Sequence, residues 1–233
     1  MASNELNYVE ATPLLIGLLA YVLYFLFLKS SKVKSSFSKQ FPVSKTSFYW
    51  VQLSRVVAFV CMVNIPIAYL NYFDINFWSI RFIWTDTDTF YTGVLAVILV
   101  PLGALNARGK DHLKVYPEVR MKYWSALEYT SNILSWGMYL LAYEFLFRGI
   151  LFLGMLLFID LYPAIILNTL LYALAHLHKG KKETLGSIPL GIALCFITYE
   201  TQTIWTAFAV HWIMATTNFV FSHYYTSKTN TDV

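Results

Sequence analysis

The chain has 233 residues, of which 58% are hydrophobic and only 13% carry a charge. A soluble globular domain has about twice that charged fraction. Together with a mean hydropathy of +0.54, the composition excludes an ordinary soluble domain and predicts an all-α, polytopic membrane protein surrounded by the lipid bilayer. The net charge of +4 predicts no nucleic-acid partner, because the basic residues lie in short loops between apolar segments.

Seven apolar segments follow one another along the chain, and we interpret each as part of a membrane-spanning helix. The fourth is unusually long, so we expect it to be tilted or broken near Gly149. The sixth contains Gly186, Pro189 and Gly191, which predict a break there as well. The segments cover approximately residues 12–28, 55–72, 90–105, 130–158, 163–177, 185–199 and 203–221.

These segments divide the chain into three predicted parts. Residues 1–123 form an N-terminal membrane segment of three spans, and residues 124–222 form a membrane core that carries the unusual polar residues. Residues 223–233 belong to a polar tail, which we expect to fray from Ser222 onward. Before the fourth span, residues 116–129 are expected to approach along the membrane interface.

The positions of Lys and Arg predict how the spans are oriented. The loops after the first, third and fifth segments hold almost all of the basic residues, whereas the loop after the second holds only Arg81. Cytoplasmic loops of membrane proteins carry an excess of Lys and Arg. The sequence therefore predicts an N-terminus outside and a C-terminus in the cytoplasm.

Four ionisable side chains lie within the predicted spans of the core. Glu144 and Arg148 are four residues apart, so both lie on one helix face within reach of an ion pair. His176 ends the fifth segment and His211 lies near the middle of the seventh. A charged residue at the membrane centre costs about 2.5–3.5 kcal/mol on translocon scales, so we expect these residues to have partners or a function.

Two interpretations of this set are open. A structural ion pair that locks neighbouring helices accounts for Glu144 and Arg148 alone. The two histidines in other spans favour a polar reaction centre, in which a carboxylate activates water and imidazoles stabilise an oxyanion. Asn218 falls on the same helical face as His211, and Glu183 is placed to pair with Lys179 four residues before it.

A metal site is a further alternative. Two histidines and one glutamate with an open position could hold zinc. The chain has no His-Glu-x-x-His signature, which is the compact motif of zinc peptidases. We therefore expect no cofactor, with zinc left as the open alternative.

The order and spacing of these motifs resemble a known family, the CPBP intramembrane proteases, which include CAAX prenyl proteases and bacteriocin-processing enzymes. That family shows Glu-Glu-x-x-x-Arg-Gly, Phe-x-x-x-His and His-x-x-x-Asn in consecutive spans. The resemblance covers roughly residues 130–221. The matching motifs here are Glu144-x-x-x-Arg148-Gly149, Tyr172-x-x-x-His176 and His211-Trp212.

Two positions depart from the family pattern. Tyr143 stands where the family has its first glutamate, and Ala215 stands where it has asparagine. Asn218, one turn further along, is a candidate replacement for that asparagine. A bacterial branch of the family looks similar, with a single glutamate in the first motif. After its second motif it has a lysine and then Glu-Thr-x-Gly-Ser, which correspond here to Lys179 and the run that starts at Glu183.

The resemblance implies an intramembrane endopeptidase in a bacterial plasma membrane. Its substrate would be a membrane-embedded or membrane-associated peptide, such as a prenylated protein or a leader peptide. Glu144 would be the base that activates water, Arg148 would orient it, and His176 and His211 would stabilise the oxyanion. Because of the substitution at Tyr143, the main alternative is a noncatalytic scaffold or bacteriocin-immunity protein. A transporter with a proton relay is the third interpretation.

The predicted orientation can be tested by labelling single cysteines introduced into a variant that lacks its two native cysteines. A cysteine next to Asp86 should react with a membrane-impermeant reagent added outside intact cells. Cysteines next to Lys34, Lys110 or Lys181 should react only after the membrane is opened, because the positive-inside rule places these loops in the cytoplasm. Labelling from outside at Lys110 or Lys181 would contradict the predicted topology.

Overall fold

A computed structural model describes residues 8–74, 82–121 and 123–228 of the chain. The described residues form ten α-helices with shorter π- and 3₁₀-helical segments between some of them. In the first part of the chain these are α1 (Tyr8–Lys29), α2 (Ser31–Ser38), α3 (Val43–Phe59), α4 (Ile65–Tyr72), α5 (Asp86–Asn106) and α6 (Lys110–Val115). In the second part they are α7 (Ala126–Glu144), α8 (Leu161–His176), α9 (Lys181–Thr201) and α10 (Trp205–Lys228).

The predicted all-α, polytopic membrane bundle is confirmed. Among the described residues, six helical stretches are long and apolar enough to cross a membrane. The seventh predicted span corresponds to α10, which is not one of the six because residues 216–218 and His211 make it more polar. With 24 residues α10 is about 36 Å long, and it packs along α5 and α7. The orientation of the termini stays a prediction.

Helix α9 corrects one prediction from the sequence. It runs without interruption from Lys181 to Thr201, so the expected break at its glycines and proline is wrong. Membrane helices tolerate these residues where neighbouring helices satisfy the freed backbone groups. Gly191 has a packing role instead, because a Cβ there would lie 3.2 Å from Cδ1 of Tyr172. This glycine lets α9 approach α8 closely.

Several helix ends also differ from the predicted spans. Helix α3 begins at Val43, well before the predicted start of the second span, and α10 continues to Lys228. The expected fraying from Ser222 is therefore wrong as far as Lys228, and residues 229–233 lie outside the described residues. Residues 75–81 of the loop before α5, which include Arg81, also lie outside the described residues.

The segment 116–129, expected to approach along the interface, divides at Ser125. Residues 116–121 and 123–125 are irregular, and α7 begins at Ala126. Ser125 caps that helix, because its hydroxyl accepts from the Glu128 N–H while the Glu128 carboxylate accepts from the Ser125 N–H and O–H. This reciprocal arrangement satisfies two backbone donors of the first turn and fixes where the helix starts.

Two π-helical segments widen the long spans rather than breaking them. Val60–Asn64 joins α3 to α4, and the Ile65 N–H donates to the Val60 carbonyl. Phe145–Leu153 continues α7 past the expected break at Gly149, and all nine of its residues are buried. Such wide turns occur frequently at functional sites. Here the segment begins directly after Glu144 and contains Arg148.

An indole fixes how α7 and α10 lie against each other. Trp212 Nε1 donates to the Ile133 carbonyl at 2.9 Å. Its ring occupies the space beside Gly137, where a Cβ would lie 2.9 Å from Trp212 Cε2. Real Cβ atoms do not approach a neighbour this closely, so the contact requires glycine at this position.

A buried carboxylate ties the start of α5 to the start of α10. Asp88 is fully buried, and its Oδ2 accepts from the Thr85 backbone N–H at 3.0 Å in a capping box. Its Oδ1 accepts from the hydroxyls of Thr203 at 2.6 Å and Thr206 at 2.9 Å. One side chain therefore satisfies donors from both helix starts.

We predict that Asp88→Ala destabilises the folded protein by about 2 kcal/mol, because it removes a cap and leaves two buried hydroxyls without an acceptor. The measurement is the unfolding free energy in detergent. Asp86→Ala is the matched control, since Asp86 lies in the same helical turn but is exposed. Equal stability of the two variants would contradict the role assigned to Asp88.

Candidate active site in the membrane core

The structure brings together the four ionisable residues that the sequence singled out. Glu144 Oε1 lies 2.5 Å from His211 Nδ1, and Glu144 Oε2 lies 3.1 Å from Arg148 Nη1. Both Glu144 and Arg148 are completely buried. His176 reaches the same place from the end of α8, and its ring is parallel to that of His211 with 6.3 Å between centroids. Three separate helices thus meet at one polar cluster.

Tyr172 connects the members of this cluster. Its hydroxyl lies 3.0 Å from His211 Nε2, and the Arg148 guanidinium carbon lies 4.3 Å from the centroid of its ring. Its backbone carbonyl lies 2.8 Å from His176 Nδ1. Sequence reasoning did not name this residue as part of the site, although a tyrosine at the place of the phenylalanine in the family motif was the available signal.

The tautomer of His176 follows from that backbone contact. A carbonyl oxygen only accepts hydrogen bonds, so the His176 Nδ1 must carry the proton. The other ring nitrogen, Nε2, is then left as an acceptor. In His211, by contrast, both ring nitrogens already have a side-chain partner.

The Glu144–Arg148 pair is held by charge rather than by a well-aligned hydrogen bond. Within the described chain, no nitrogen of the Arg148 guanidinium has a hydrogen-bond acceptor with good geometry. Its positive charge is met by the carboxylate at 3.1 Å and by the face of the Tyr172 ring. Each charge is therefore the main reason that the other can be buried.

Tyr143, which replaces the first glutamate of the family motif, also lies beside the imidazoles. Its ring centroid is 6.0 Å from that of His211 and 6.2 Å from that of His176, and it stacks on Phe147 at 4.4 Å. The Tyr143 hydroxyl is buried and has no hydrogen-bond partner in the described part of the chain. Tyr143 thus has a buried hydroxyl without a partner among the described residues and a ring that lies beside both histidines.

Two cavities open onto the histidines. A small cavity of about 20 Å³ is lined by Tyr143, His176, His211 and Lys179, among others. That volume is sufficient for one water molecule. A large cavity of about 400 Å³ is lined by Tyr172 and both histidines. Glu144 lines neither cavity, because His211 and Arg148 cover its two oxygens.

The other predicted site residues line the large cavity. Ala215, Asn218 and Glu183 all contribute to its wall. The Glu183 carboxylate accepts from the Tyr116 hydroxyl at 3.1 Å. Burial, reinforced by this carboxylate, holds the pKa of Tyr116 well above its usual range, so the hydroxyl stays protonated and donates. The expected pair between Glu183 and Lys179 is wrong, since no such ion pair is present in the described residues.

A second buried arginine was missed in the sequence, where it stood only as the start of a predicted span. Arg55 lines the large cavity and stacks on Trp136 with 4.2 Å from its guanidinium carbon to a ring centroid. Its Nη1 donates to the Asn132 side chain at 2.9 Å. Its Nη2 forms a salt bridge with Glu118 at 3.2 Å. A lone arginine inside an apolar run was the available signal.

Asn168, also missed, supports the π-helical segment beside the site. Its Nδ2 donates to the Phe147 carbonyl at 2.7 Å, and its Oδ1 accepts from the Cys195 thiol at 3.2 Å. The amide thus supplies a donor to a backbone carbonyl of the wide helical turn. Cys195 itself is completely buried.

Several donor atoms of the predicted zinc ligands are already used by other protein groups. No group of three or more His, Cys, Asp or Glu side chains among the described residues is arranged to hold a metal ion. Glu144 and His211 direct their nearest atoms at each other, and His176 Nδ1 is used by a backbone carbonyl. We therefore derive no step through a metal.

A buried carboxylate, two imidazoles and a water-sized cavity therefore lie together inside the helical bundle. Residues 130–217 match the family model for Rce1-like proteins, described as type II CAAX prenyl endopeptidase. The match confirms the resemblance seen in the motifs and supports membership of the CPBP family, a family of proteases. Comparisons with curated proteins and with solved structures found no match.

We predict that Arg148→Met destabilises the protein by about 3–5 kcal/mol, because it leaves the Glu144 charge buried without its ion partner. The double variant Arg148→Met/Glu144→Gln should recover a large part of that loss, since it buries no charge. Unfolding free energies of the two single variants and the double variant give the coupling. Additive losses would contradict the interdependence of the two charges.

Proposed function

We propose that this integral membrane protein is an intramembrane endopeptidase that hydrolyses a peptide bond with a water activated by histidine. The observation that carries the proposal is the small cavity, large enough for one water, which His176, His211 and Tyr143 line together. Membership of a protease family supports the same class of reaction. The proposed location is a bacterial plasma membrane, as the resemblance implies.

We assign the role of general base to His176. Its Nε2 is an acceptor without a partner in the described chain, because the Tyr172 carbonyl fixes the proton on Nδ1. It would take a proton from water while the water oxygen attacks the scissile carbonyl carbon. It would then return that proton to the leaving amine as the C–N bond breaks.

Glu144, the base expected from the sequence, has a different role in this proposal. Its two oxygens are occupied by His211 and Arg148, and neither cavity reaches it. It would act through His211, holding that ring in place and stabilising its protonated form. His211 and the Tyr172 hydroxyl would stabilise the oxyanion, and Asn218 lines the adjoining wall.

The large cavity is the proposed binding place for the substrate. Its volume of about 400 Å³ falls within the usual range for ligand sites, and it combines apolar walls with Arg55, Glu118 and Glu183. A membrane-associated peptide, such as a prenylated or leader-peptide substrate, fits this mixture of surfaces. No cofactor is part of the proposal.

The experiment uses full-length protein in liposomes and a fluorogenic farnesylated peptide that ends in a CAAX sequence, with a leader peptide as second substrate. His176→Asn should lower kcat/KM by at least about 100-fold, the lower range for loss of a general base. It should also remove the acidic limb of the pH profile. If that limb persists in His176→Asn and disappears in Glu144→Gln, Glu144 is the base and the assignment to His176 is wrong.

Glu144→Gln should also lower cleavage by at least about 100-fold, measured on the fraction of the protein that is folded and inserted, because His211 loses its charged partner. Glu200→Gln is the control, since Glu200 is an exposed carboxylate that accepts a hydrogen bond from Tyr91. Tyr143→Phe should have a much smaller effect. A folded Glu144→Gln variant with normal cleavage would exclude a catalytic role for the cluster. If the variant is inactive, it can also be used to trap the natural substrate for identification.

A noncatalytic scaffold or immunity protein is the second candidate, favoured by the tyrosine at position 143 and by the complete burial of Glu144. A Tyr143→Glu variant restores the family residue at this position. If neither this variant nor the wild type cleaves either peptide or the trapped substrate, the noncatalytic function is the better one.

A further inference from the structure

A third cavity lies between α1, α3 and α7, next to the short turn that follows α8. It shares part of its wall with the large cavity, namely Arg55, Glu118, Trp136 and Lys179. This basic cavity has a volume of about 290 Å³. Its wall carries four cationic side chains and one carboxylate. These are Lys29, Lys34, Arg55, Lys179 and Glu118.

The charges of the basic cavity do not balance. The single carboxylate, Glu118, is already paired with Arg55. Within the described part of the chain, none of the ammonium groups of Lys29, Lys34 and Lys179 takes part in a salt bridge. Three uncompensated cations in one concave surface create a site that attracts an anion.

A fourth, apolar cavity continues directly from the basic one. It has a volume of about 340 Å³ and lies between α1, the π-helical segment and α8. Tyr21, Phe25 and His178 line both cavities. Apart from His178 and the Tyr21 hydroxyl, its lining side chains are apolar, and several of them are exposed at the lipid-facing surface: Leu18, Val22, Leu174 and Leu177.

The two cavities are arranged along the direction in which a lipid would lie. Along α1, the lining residues of the apolar cavity run from Leu18 to Phe25, a distance of about 10 Å. Lys29 follows Phe25 by one helical turn, and its Nζ lies 5.6 Å from the centroid of the Phe25 ring. The cationic end therefore lies where α1 leaves the apolar part of the bundle, and the apolar end lies deeper.

We propose that the joined basic and apolar cavities bind an anionic phospholipid. The phosphate lies against Lys29, Lys34 and Lys179, and one acyl chain occupies the apolar cavity. Neither feature alone selects this ligand, since a free phosphate would need only the lysines and an acyl chain only the apolar wall. Their continuity through Tyr21, Phe25 and His178 selects a molecule that has both.

The test is native mass spectrometry of the full-length protein in detergent, titrated with phosphatidylglycerol or with phosphatidylcholine. We expect phosphatidylglycerol to be retained at least about tenfold more tightly, because each lysine near an anionic headgroup contributes to binding. In Lys29→Gln/Lys34→Gln this preference should fall to nearly that of phosphatidylcholine. The matched control is Lys32→Gln/Lys39→Gln, which removes the same charge from lysines that do not line the cavity.

Two further arms distinguish a lipid from a phosphate ion. Val22→Trp fills the apolar cavity and should weaken phosphatidylglycerol binding without changing any charge. Inorganic phosphate at millimolar concentration should not displace the lipid. Equal retention of both lipids, equal loss in the two double variants, or full displacement by phosphate with no effect of Val22→Trp would each overturn the proposal. All variants are at partly or fully exposed positions, and circular dichroism confirms that they remain folded.

Discussion

The negative charge of Glu144 is the constraint on which the core of this bundle depends. In a membrane interior a lone carboxylate would be neutralised or expelled. Here it is shared between Arg148, one helical turn along the same segment, and His211 from another helix. Because Arg148 is equally buried, removing either charge exposes the other to the full cost of burial. The cluster therefore specifies which helices must meet, whether or not it performs catalysis.

The widened helix beside the cluster makes this meeting possible. In a regular α-helix, successive side chains advance around the axis by a constant angle. The π-helical segment Phe145–Leu153 changes that angle within a span that remains continuous. The change leaves the Phe147 carbonyl available to an amide from α8, supplied by Asn168. Backbone groups at membrane depth must find partners inside the protein. The wide turn and Asn168 therefore support each other.

Much of this organisation could be predicted from the sequence. Long apolar runs identified the spans, and the spacing of Glu144 and Arg148 predicted their ion pair. The motifs also placed His176 and His211 in the same site, because they resemble a family that brings these spans together. The continuity of α9 was not predictable, since the partners that tolerate its glycines and proline come from other helices. The burial of Glu144 behind His211 was equally hidden, because the direction of a side chain depends on the local helix type.

Residues that act only through distant contacts were also missed. Asp88 looked like an ordinary loop charge, yet its acceptors serve Thr203 and Thr206, more than a hundred residues away in sequence. Arg55 looked like the boundary of a span, yet it lines the large cavity. In both cases the residue type was visible and the partner was not. Periodicity and motif spacing report local geometry, and they contain little information about which polar groups face each other across a bundle.

The close contact between Gly137 and the Trp212 indole has a consequence for how this protein can vary. The Trp212 indole leaves no space for a side chain at position 137. His211 directly precedes Trp212 in helix α10. A substitution that enlarges position 137 would rotate or displace α10 and carry the imidazole away from Glu144. We therefore expect substitutions at positions 137 and 212 to occur together or not at all. Gly137 takes no part in the chemistry itself, yet it maintains the alignment between the Glu144 carboxylate and the His211 imidazole.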